Sequence, residues 1–423
     1  MNDYKIAIIG NSPVSEIVSL LLGNNFEVTC YKDTVETAAC YPYFANDLNE
    51  GILKKFIEKT NISLHERNLP DIEIKYDQCA TFVCQATFEN FSNTLKSEFY
   101  EHFKKIEIFL NDVEKIGKEW KDFIENDFDS NKTRMIYSAK FFDKTLEKYF
   151  KKIGLKSQPI FQICQTILPV LDVSFSVFSG YLYTQFFDNH ILKEQLWKEI
   201  KLQSLARIKE IKVDKLPNLR FEKTTTNEPS KEKFNCIIDL REDGANNNFF
   251  NKTNDNVSQF AILGTFCLKN QVLEKNRLYY FKHINCSSLR IWSNFESCNT
   301  EFQFELYIND DNLDFNNSLN YKDFVLNTIR NYLGDSEITD IDIIYNHKQI
   351  KKMFDTNKGY MWAFSTKQSL LDPTYAFFKK KESVFTINYW GFAWFSAAFN
   401  IYNILLNKTD FSNQYYIYDG GNM

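Results

Sequence analysis

The 423-residue sequence is poor in residues that interrupt helices and strands and in residues that bind metals. It contains 13 glycines, 8 prolines and five histidines, and its nine cysteines include no CxxC pair. Because these residues form no zinc-site spacing, we predict no bound metal. The odd, scattered cysteines predict reduced, mostly buried thiols in a cytoplasmic protein. Met1–Tyr4 leads straight into the apolar Ile6–Ile9 without the features of a secretory signal, which favours the same compartment.

The sequence also lacks a basic field. Its 50 Lys and Arg against 55 Asp and Glu give a net charge of −5, which argues against a nucleic-acid partner because phosphate binding requires positive potential. The long apolar segment Val384–Leu406 contains Asn388, Asn400 and Asn403. Three amides are expensive in lipid, so we predict a buried helix there and no membrane span.

The N-terminal residues follow the pattern of a strand, a turn, a helix and a second strand. Tyr4–Ile9 ends in a continuous apolar run, as buried strands do. In the turn Gly10–Pro13, Ser12 suits a helix N-cap and Pro13 suits the first helical position. Apolar residues then recur at helical spacing up to Leu22, and Phe26–Tyr31 has the composition of a strand. The pattern predicts a βαβ unit of the dinucleotide-binding type.

The turn of this unit keeps one of the three glycines of the G-x-G-x-x-G fingerprint. The three positions are Gly10, Ser12 and Ser15, and Asn11 and Pro13 lie in the same turn. The fingerprint glycines allow a tight turn, close approach of a pyrophosphate and close packing of the helix on the strand. Ser12 has a Cβ atom where the pyrophosphate needs bare backbone, so its presence is expected to weaken dinucleotide binding.

The end of the second strand carries Lys32 where an acidic residue normally binds a ribose hydroxyl. Three interpretations are open at this position. Lys32 would favour a phosphorylated ribose, Asp33 would take the acidic role after a shift of one residue, or neither side chain binds a ligand.

Three segments resemble the superfamily of FAD-linked oxidoreductases, which includes phytoene desaturases, amine oxidases, UDP-galactopyranose mutase and the flavin-free GDP dissociation inhibitors. Tyr4–Asp33 is similar in spacing to the first motif of that superfamily. Phe234–Asp239 resembles the strand by which the chain returns to the nucleotide-binding sheet. Val384–Leu406 resembles the last strand, glycine turn and final helix, and this resemblance implies that three residues lie near the flavin: Asn388, Trp390 and Gly391.

Two departures from the family pattern concern the cofactor. The Gly-Gly-Arg segment that usually follows the second strand is absent from Thr34–Tyr43, and the Gly-Asp or Gly-Arg pair before the final helix is replaced near Asn388–Gly391. The resemblance therefore implies either FAD held along Gly10–Ser15 or a protein of the same fold without a flavin.

These patterns predict an α/β protein, in which a Rossmann-like FAD/NAD(P)-binding domain carries an inserted α+β substrate domain. The dinucleotide-binding domain is predicted to comprise residues 1–90, 195–265 and 350–423, and the substrate domain residues 91–194 and 266–349. Within the latter, strand patterns occur at 277–284, 288–294 and 302–308 and a helical pattern at 321–333, whereas the apolar segment 158–186 fits both a helix and a strand.

Three functions are compatible with the sequence. The favoured one is an FAD-dependent oxidoreductase or isomerase acting on a hydrophobic or amine-type small molecule, because related folds tolerate altered motifs. The second is a flavin-free binding protein on the same fold, and the third is an NADP-dependent enzyme that uses Lys32.

No conventional acid, base or nucleophile stands out, so the sequence identifies no catalytic residue. His283, Cys286 and Arg290 fit packing roles better than catalytic ones, and the three tryptophans Trp292, Trp390 and Trp394 fit a core. Asp239 and Asp243 lie at a strand end, where both ligand contacts and turn-forming side chains are common.

Overall fold

The computed structural model describes residues 4–10, 13–33, 51–63, 71–77, 80–125, 135–168, 174–183, 193–213, 221–224, 232–240, 260–269, 273–274, 277–284, 287–293, 301–308, 318–334, 337–345, 379–381, 384–386, 394–407 and 415–418. Within these ranges the chain forms two large sheets, one small sheet and the helices that pack on them.

The first large sheet has six strands in the order β14-β15-β8-β1-β2-β5. All neighbouring pairs are parallel except β14 and β15. The strands are β1 (Lys5–Ile9), β2 (Glu27–Asp33), β5 (Lys209–Val213), β8 (Cys236–Asp239), β14 (Lys379–Lys381) and β15 (Val384–Thr386).

The second large sheet has seven strands in the order β13-β9-β12-β11-β10-β3-β4 and is antiparallel except for the pair β3 and β10. Its strands are β3 (Asp71–Lys75), β4 (Thr81–Gln85), β9 (Phe260–Leu268), β10 (Arg277–Ile284), β11 (Ser287–Ser293), β12 (Glu301–Ile308) and β13 (Ile338–Tyr345). The small sheet is antiparallel, in the order β6 (Phe221–Thr224), β16 (Tyr415–Tyr418) and β7 (Lys233–Phe234).

The helices form two groups. Around the parallel sheet, α1 (Pro13–Leu22) contacts α2 (Gly51–Thr60), α9 (Lys193–Arg207) and α11 (Trp394–Asn407). The seven-stranded sheet has α10 (Ser318–Leu333) on one face. Its other face meets a helical layer made of α3 (Phe88–Glu98), α4 (Phe103–Glu125), α5 (Ile136–Ala139), α6 (Leu146–Ile153), α7 (Pro159–Ile167) and α8 (Phe175–Tyr181), with a 3-10 turn at Tyr100–His102.

The composition of β1 reflects burial on both faces of its sheet. Ile6 and Ile8 point into the core shared with the helices, whereas Ala7 and Ile9 face a second cluster with Tyr31. That second face meets β7 and β16 of the small sheet. Because a strand buried on both faces has no solvent side, it reads as a continuous apolar run rather than an alternating one.

The mixed α/β architecture with a parallel sheet is the one that the N-terminal βαβ pattern predicts. The strand pairing differs from the expected division of the chain, because β3 and β4 lie within residues 1–90 but pair in the seven-stranded sheet through β10. Sheet membership also puts β9 in the second sheet from Phe260 onwards. Strand pairing shows which sheet each strand joins and does not mark where a domain begins or ends, so the domain boundaries stay a prediction.

Two further results concern the described part of the chain. None of its helices is both long and apolar enough to cross a membrane. In the same ranges, no group of three or more His, Cys, Asp or Glu side chains is arranged to hold a metal ion.

Candidate functional site at the carboxyl edge of the parallel sheet

The candidate site is the carboxyl edge of the parallel sheet. β1 lies between β2 and β8, and the sheet continues to β5 on one side and to β15 and β14 on the other, so the strand order reverses beside β1. Ligands of open α/β sheets bind outside the carboxyl ends of the strands at such a switch point. Gly10, Lys32 and Asp239 lie at this edge.

Gly10 makes the turn after β1 possible. Its φ angle is +146°, which side chains of L-residues rarely allow, and a Cβ atom built on it would lie 3.1 Å from the Cβ atom of Leu240. Its amide donates a hydrogen bond to the carbonyl of Tyr31 over 3.2 Å. The surviving glycine of the fingerprint is therefore needed by the backbone itself, whether or not a ligand approaches.

The structure describes two of the other four predicted residues of this turn, Pro13 and Ser15. Pro13 is the first residue of α1, where a proline is tolerated. Ser15 is completely buried, and its carbonyl accepts a hydrogen bond from the Ser19 hydroxyl over 2.5 Å. A small side chain thus replaces the third glycine, which in the fingerprint allows close helix–strand packing. Asn11 and Ser12 lie outside the described residues.

Lys32 is held between two carboxylates from two different elements. Its Nζ atom lies 2.5 Å from Oε1 of Glu16, in the first turn of α1, and 2.9 Å from Oε2 of Glu210 in β5. The Lys32 side chain is 12% exposed and that of Glu16 is 9% exposed, so this pair is largely shielded from water. Here we call Lys32, Glu16 and Glu210 the edge triad.

The charge of Lys32 is stabilised by this arrangement. Burial alone would lower the pKa of its ammonium group, but the nearby Cys30 sulfur and the carboxylates of Glu16 and Glu210 raise it, and the net pKa lies above the usual value. Lys32 is therefore a permanent cation with its partners already in place. Burial also raises the pKa of the Cys30 thiol to about 11, so this sulfur remains protonated at neutral pH.

The described residues at this edge do not fit a flavin dinucleotide. A ribose hydroxyl needs an acceptor near the end of β2, and Lys32, at the usual position of that acceptor, is an ammonium group bound by two carboxylates, with Asp33 following as the last residue of the strand. The helix N-terminus favours negative charge, but Glu16 already supplies it in the first turn. A pyrophosphate would therefore meet a carboxylate where the fold normally offers only amide dipoles.

The remaining predicted cofactor residues are placed only in part. Asp33 is the last residue of β2 and pairs in register with Val213 of β5. Asn388, Trp390 and Gly391 lie outside the described residues, as do Cys286 and Asp243. Asp239 is buried at the end of β8, next to Ile9 of β1.

A second charged cluster lies inside the seven-stranded sheet. The Arg290 guanidinium group lies 5.1 Å from the ring centre of Tyr280 and 5.4 Å from that of Tyr307. Its Nη2 atom donates to the carbonyl of Ile167 over 2.9 Å, at the end of α7, and its Nη1 atom lies 3.7 Å from Oε2 of Glu305. Both charged side chains are almost completely buried.

The sequence patterns did not single out Glu16, Glu210 or Glu305. The available signal for Glu305 was an acidic residue inside the mostly apolar strand Phe302–Ile308, at a position that points to the helical layer. His283 belongs to β10, and Trp292 donates from Nε1 to Oε1 of Gln303 over 2.9 Å, which is a packing role.

Comparisons with known proteins identify the fold. No protein-family model matches the chain, and no curated protein sequence matches it. The solved structure of cyclohexylamine oxidase from Brevibacterium oxydans IH-35A is similar over 96% of this chain and 100% of its own, with a TM-score of 0.57 and 10% sequence identity. An oxidoreductase from Methanosarcina mazei is similar over 95% of this chain and 100% of its own, with a TM-score of 0.51 and 9% identity. At such identities the likeness concerns the fold alone, and it confirms the predicted α/β fold with a Rossmann-like parallel sheet.

Proposed function

We propose that this chain is a flavin-free protein that binds a small molecule on an amine-oxidase fold. The observation that carries the proposal is the edge triad, in which Lys32 is paired with Glu16 and Glu210. The triad occupies the edge of the sheet at which the fold normally recognises a dinucleotide.

The first argument is electrostatic. The dinucleotide brings two negative phosphates and a ribose that donates hydrogen bonds, whereas the edge triad contributes two carboxylates and one ammonium group that is already paired with both of them. Bringing phosphate near Glu16 raises like-charge repulsion, and freeing Lys32 to meet it would leave Glu16 largely buried without its partner.

The second argument is structural. In flavin-binding members of this fold the nucleotide contacts both the first helix and the second strand. Here Lys32 in β2 links α1 to β5 through its two ion pairs, so the chain supplies that connection from its own side chains. A fold stabilised in this way has no need of a bound nucleotide to fix α1 against the sheet.

The ligand class rests on the neighbour alone. Cyclohexylamine oxidase is named for a small cyclic amine, and we carry this class of molecule, apolar or amine-type, over to the present chain as part of the proposal.

The proposed location is a reducing, cytoplasmic one, which the buried thiols of Cys30, Cys84, Cys164 and Cys236 support.

A specific observation favours a second candidate, the FAD-dependent oxidoreductase. Gly10 keeps its positive φ angle at the switch point beside β8, and α1 follows three residues later, which is the backbone frame of a pyrophosphate site. The NADP-dependent enzyme is a weaker candidate, because a ribose phosphate would have to displace two carboxylates from Lys32.

The test is the visible absorption spectrum of the purified protein before and after incubation with FAD. We expect no flavin bands, no uptake of FAD and no binding of NADP⁺ by calorimetry. A protein that is purified with flavin, or that takes up FAD at micromolar concentration, would overturn the proposal in favour of the oxidoreductase.

Two variants make the test sharper. Ser12→Gly restores the second fingerprint glycine, and Glu16→Gln removes the carboxylate from the first turn of α1. A weak flavoprotein should bind FAD more tightly after either change, whereas a flavin-free protein should gain nothing. Glu27→Gln is the matched control, because Glu27 is a 56% exposed carboxylate at the start of β2, away from the carboxyl edge.

A further inference from the structure

Large apolar side chains are exposed where α4 begins. Tyr100, in the 3-10 turn before the helix, is 76% exposed, and Phe103 and Ile108 in its first two turns are 44% and 51% exposed. They are separate from the stripe by which α4 packs on the protein, because Ile106 and Phe109 of that stripe are completely buried. The exposed side chains are therefore not needed for the packing of α4, and a cluster of this kind marks a surface that meets a protein partner or a membrane.

Helix α6 lies beside this end of α4. The ring centres of Phe109 in α4 and Phe150 in α6 are 5.1 Å apart. Nζ of Lys105 in α4 donates a hydrogen bond to the carbonyl of Gly154, just beyond the end of α6, over 3.2 Å. Because the two helices pack side by side in the helical layer, their exposed faces adjoin.

The exposed face of α6 is basic. Lys148, Lys151 and Lys152 are exposed on it, whereas the tyrosine and phenylalanine of the same helix are buried. The acidic residue of α6, Glu147, is paired with Lys156, and in the described part of the chain none of the three exposed lysines has an ion pair. Three ammonium groups of this helix therefore remain available to an anionic partner.

The apolar and basic parts of this surface belong to different helices. On α4, the exposed Lys104 and Lys105 are matched by the exposed Glu101 and Glu107, so the positive charge comes from α6. The net charge of −5 belongs to the whole chain, and charges farther away than about 8 to 10 Å are largely screened at physiological salt.

Exposed rings beside unpaired lysines are typical of surfaces that rest on lipid bilayers. Aromatic and aliphatic side chains enter the boundary between headgroups and acyl chains, while lysines contact the lipid phosphates. An acidic protein would match the lysines alone and would leave Tyr100, Phe103 and Ile108 without an apolar counterpart. The observations therefore favour a lipid surface.

We propose that this protein docks through α4 and α6 onto the surface of a membrane that contains anionic phospholipids. The α4–α6 face consists of Tyr100, Phe103, Ile108, Lys148, Lys151 and Lys152. Its apolar side chains enter the interface and its lysines contact the phosphates. The proposal concerns docking on one surface of the bilayer, and it is independent of the flavin question.

The experiment sediments the full-length protein with vesicles of phosphatidylcholine and with vesicles that contain about 30% phosphatidylserine, at about 0.1 M salt. We expect binding to the anionic vesicles to be at least about tenfold tighter than to the neutral ones, and to weaken when salt is raised to about 0.5 M. Equal binding to both vesicles, or no binding to the anionic ones, would overturn the proposal.

Charge variants locate the basic part of the face. Lys151→Glu/Lys152→Glu should weaken binding to anionic vesicles by at least about thirtyfold, because two lysine contacts are lost and two carboxylates then face the lipid. Lys201→Glu/Lys322→Glu makes the same charge change at exposed residues of α9 and α10, outside the helical layer, and should weaken binding by less than about threefold. Equal losses in the two variants would mean that only the total charge matters, and would reject the face.

Apolar variants separate a lipid surface from an acidic protein. Tyr100→Ser/Ile108→Ser should weaken binding to anionic vesicles by about tenfold, because the side chains that enter the interface are lost. The matched control is Leu202→Ser/Leu205→Ser, which removes two side chains of α9 that are 53% and 62% exposed and should leave binding unchanged. Unchanged binding by Tyr100→Ser/Ile108→Ser would overturn the proposal in favour of an acidic partner that contacts the lysines alone.

Two solution measurements complete the test. All substituted side chains are exposed, so the variants should melt like the parent protein, which circular dichroism checks. Light scattering without vesicles shows whether a second copy covers the face, and we expect a monomer. A dimer that Tyr100→Ser/Ile108→Ser converts into monomers would overturn membrane docking and make the face an interface between copies.

Discussion

The two large sheets each hold a cation against glutamate, but at different depths. In the edge triad the side chains of Lys32, Glu16 and Glu210 are 12%, 9% and 28% exposed. In the cluster within the seven-stranded sheet the side chains of Arg290 and Glu305 are 5% and 0% exposed. Chemically similar pairs thus operate in different dielectric surroundings.

The difference in burial indicates a different role for each ion pair. A fully buried pair gains little net stability, because removing both ions from water offsets their attraction, yet breaking it leaves an expensive lone charge. Arg290 also donates to the last turn of α7 through Ile167, so it ties the helical layer to the sheet. The edge triad retains contact with water, and its position at the carboxyl ends of the strands makes it relevant to ligands.

The largest effect is expected from breaking the buried pair. Arg290→Met removes the cation and leaves Glu305 buried without it, which should lower the free energy of unfolding by about 3 to 5 kcal/mol. Urea denaturation followed by circular dichroism measures this loss.

The double variant Arg290→Met/Glu305→Leu distinguishes the lone charge from the lost packing. Because both charges are then gone, its free energy of unfolding should return to within about 1 to 2 kcal/mol of the parent. A double variant as unstable as the single one would show that lost packing and the lost hydrogen bond to Ile167, and not the lone charge of Glu305, cause the loss.

A smaller loss is expected at the edge triad. Lys32→Met should lower the free energy of unfolding by about 2 to 3 kcal/mol, because two carboxylates lose a shared charged donor but keep some contact with water. Adding Glu16→Gln should recover part of that loss in the same urea experiment. No recovery would mean that Lys32 acts through packing of its methylene groups.

The dependence of stability on alkaline pH tests the burial of the Cys30 thiol in β2. The Cys30 thiol is buried, which raises its pKa from 9.0 to about 11. Between these pH values the unfolded chain releases the proton and the folded chain keeps it, so stability is fully present below pH 9 and decreases as the pH rises. The expected decrease from this thiol is about 2 kcal/mol by pH 11.

Urea denaturation from pH 8 to pH 11 measures this decrease, with Cys30→Ala as the comparison. The variant should lose stability less steeply with pH than the parent. Identical slopes would indicate that Cys30 titrates normally and that other groups cause the alkaline loss.

The smallest effect is expected from an exposed pair in the same sheet. Lys5 and Glu27 form an ion pair of 2.7 Å, with side chains 40% and 56% exposed. Lys5→Met should change the free energy of unfolding by less than about 1 kcal/mol, and salt should reduce the effect further. A loss as large as that of Lys32→Met would contradict the link between burial and effect.

Strongly patterned local elements could be predicted from the sequence. The strand at 277–284 matches β10, the strand at 302–308 lies within β12, and the helix at 321–333 lies within α10. The apolar segment 158–186 was ambiguous because most of its described residues are buried, and these residues form α7 and α8.

The assignment of β3 to a sheet was beyond the sequence. Its alternating pattern indicates a strand with one buried face, but its parallel partner β10 follows about two hundred residues later. The periodicity of a strand indicates which of its residues are buried. It carries no information about which other strand pairs with it in the sheet.

The sequence by itself determined the βαβ unit and the loss of the fingerprint glycines at positions 12 and 15, because these depend on neighbours along the chain. Only the tertiary structure decided what Lys32 binds. Its partner Glu16 is 16 residues away and its partner Glu210 is 178 residues away, and they meet because α1 and β5 flank the same strand. A charged residue in a sequence is equally consistent with a ligand contact and with an internal ion pair. Tertiary packing decides between the two, because it determines which opposite charges lie next to that residue, away from water.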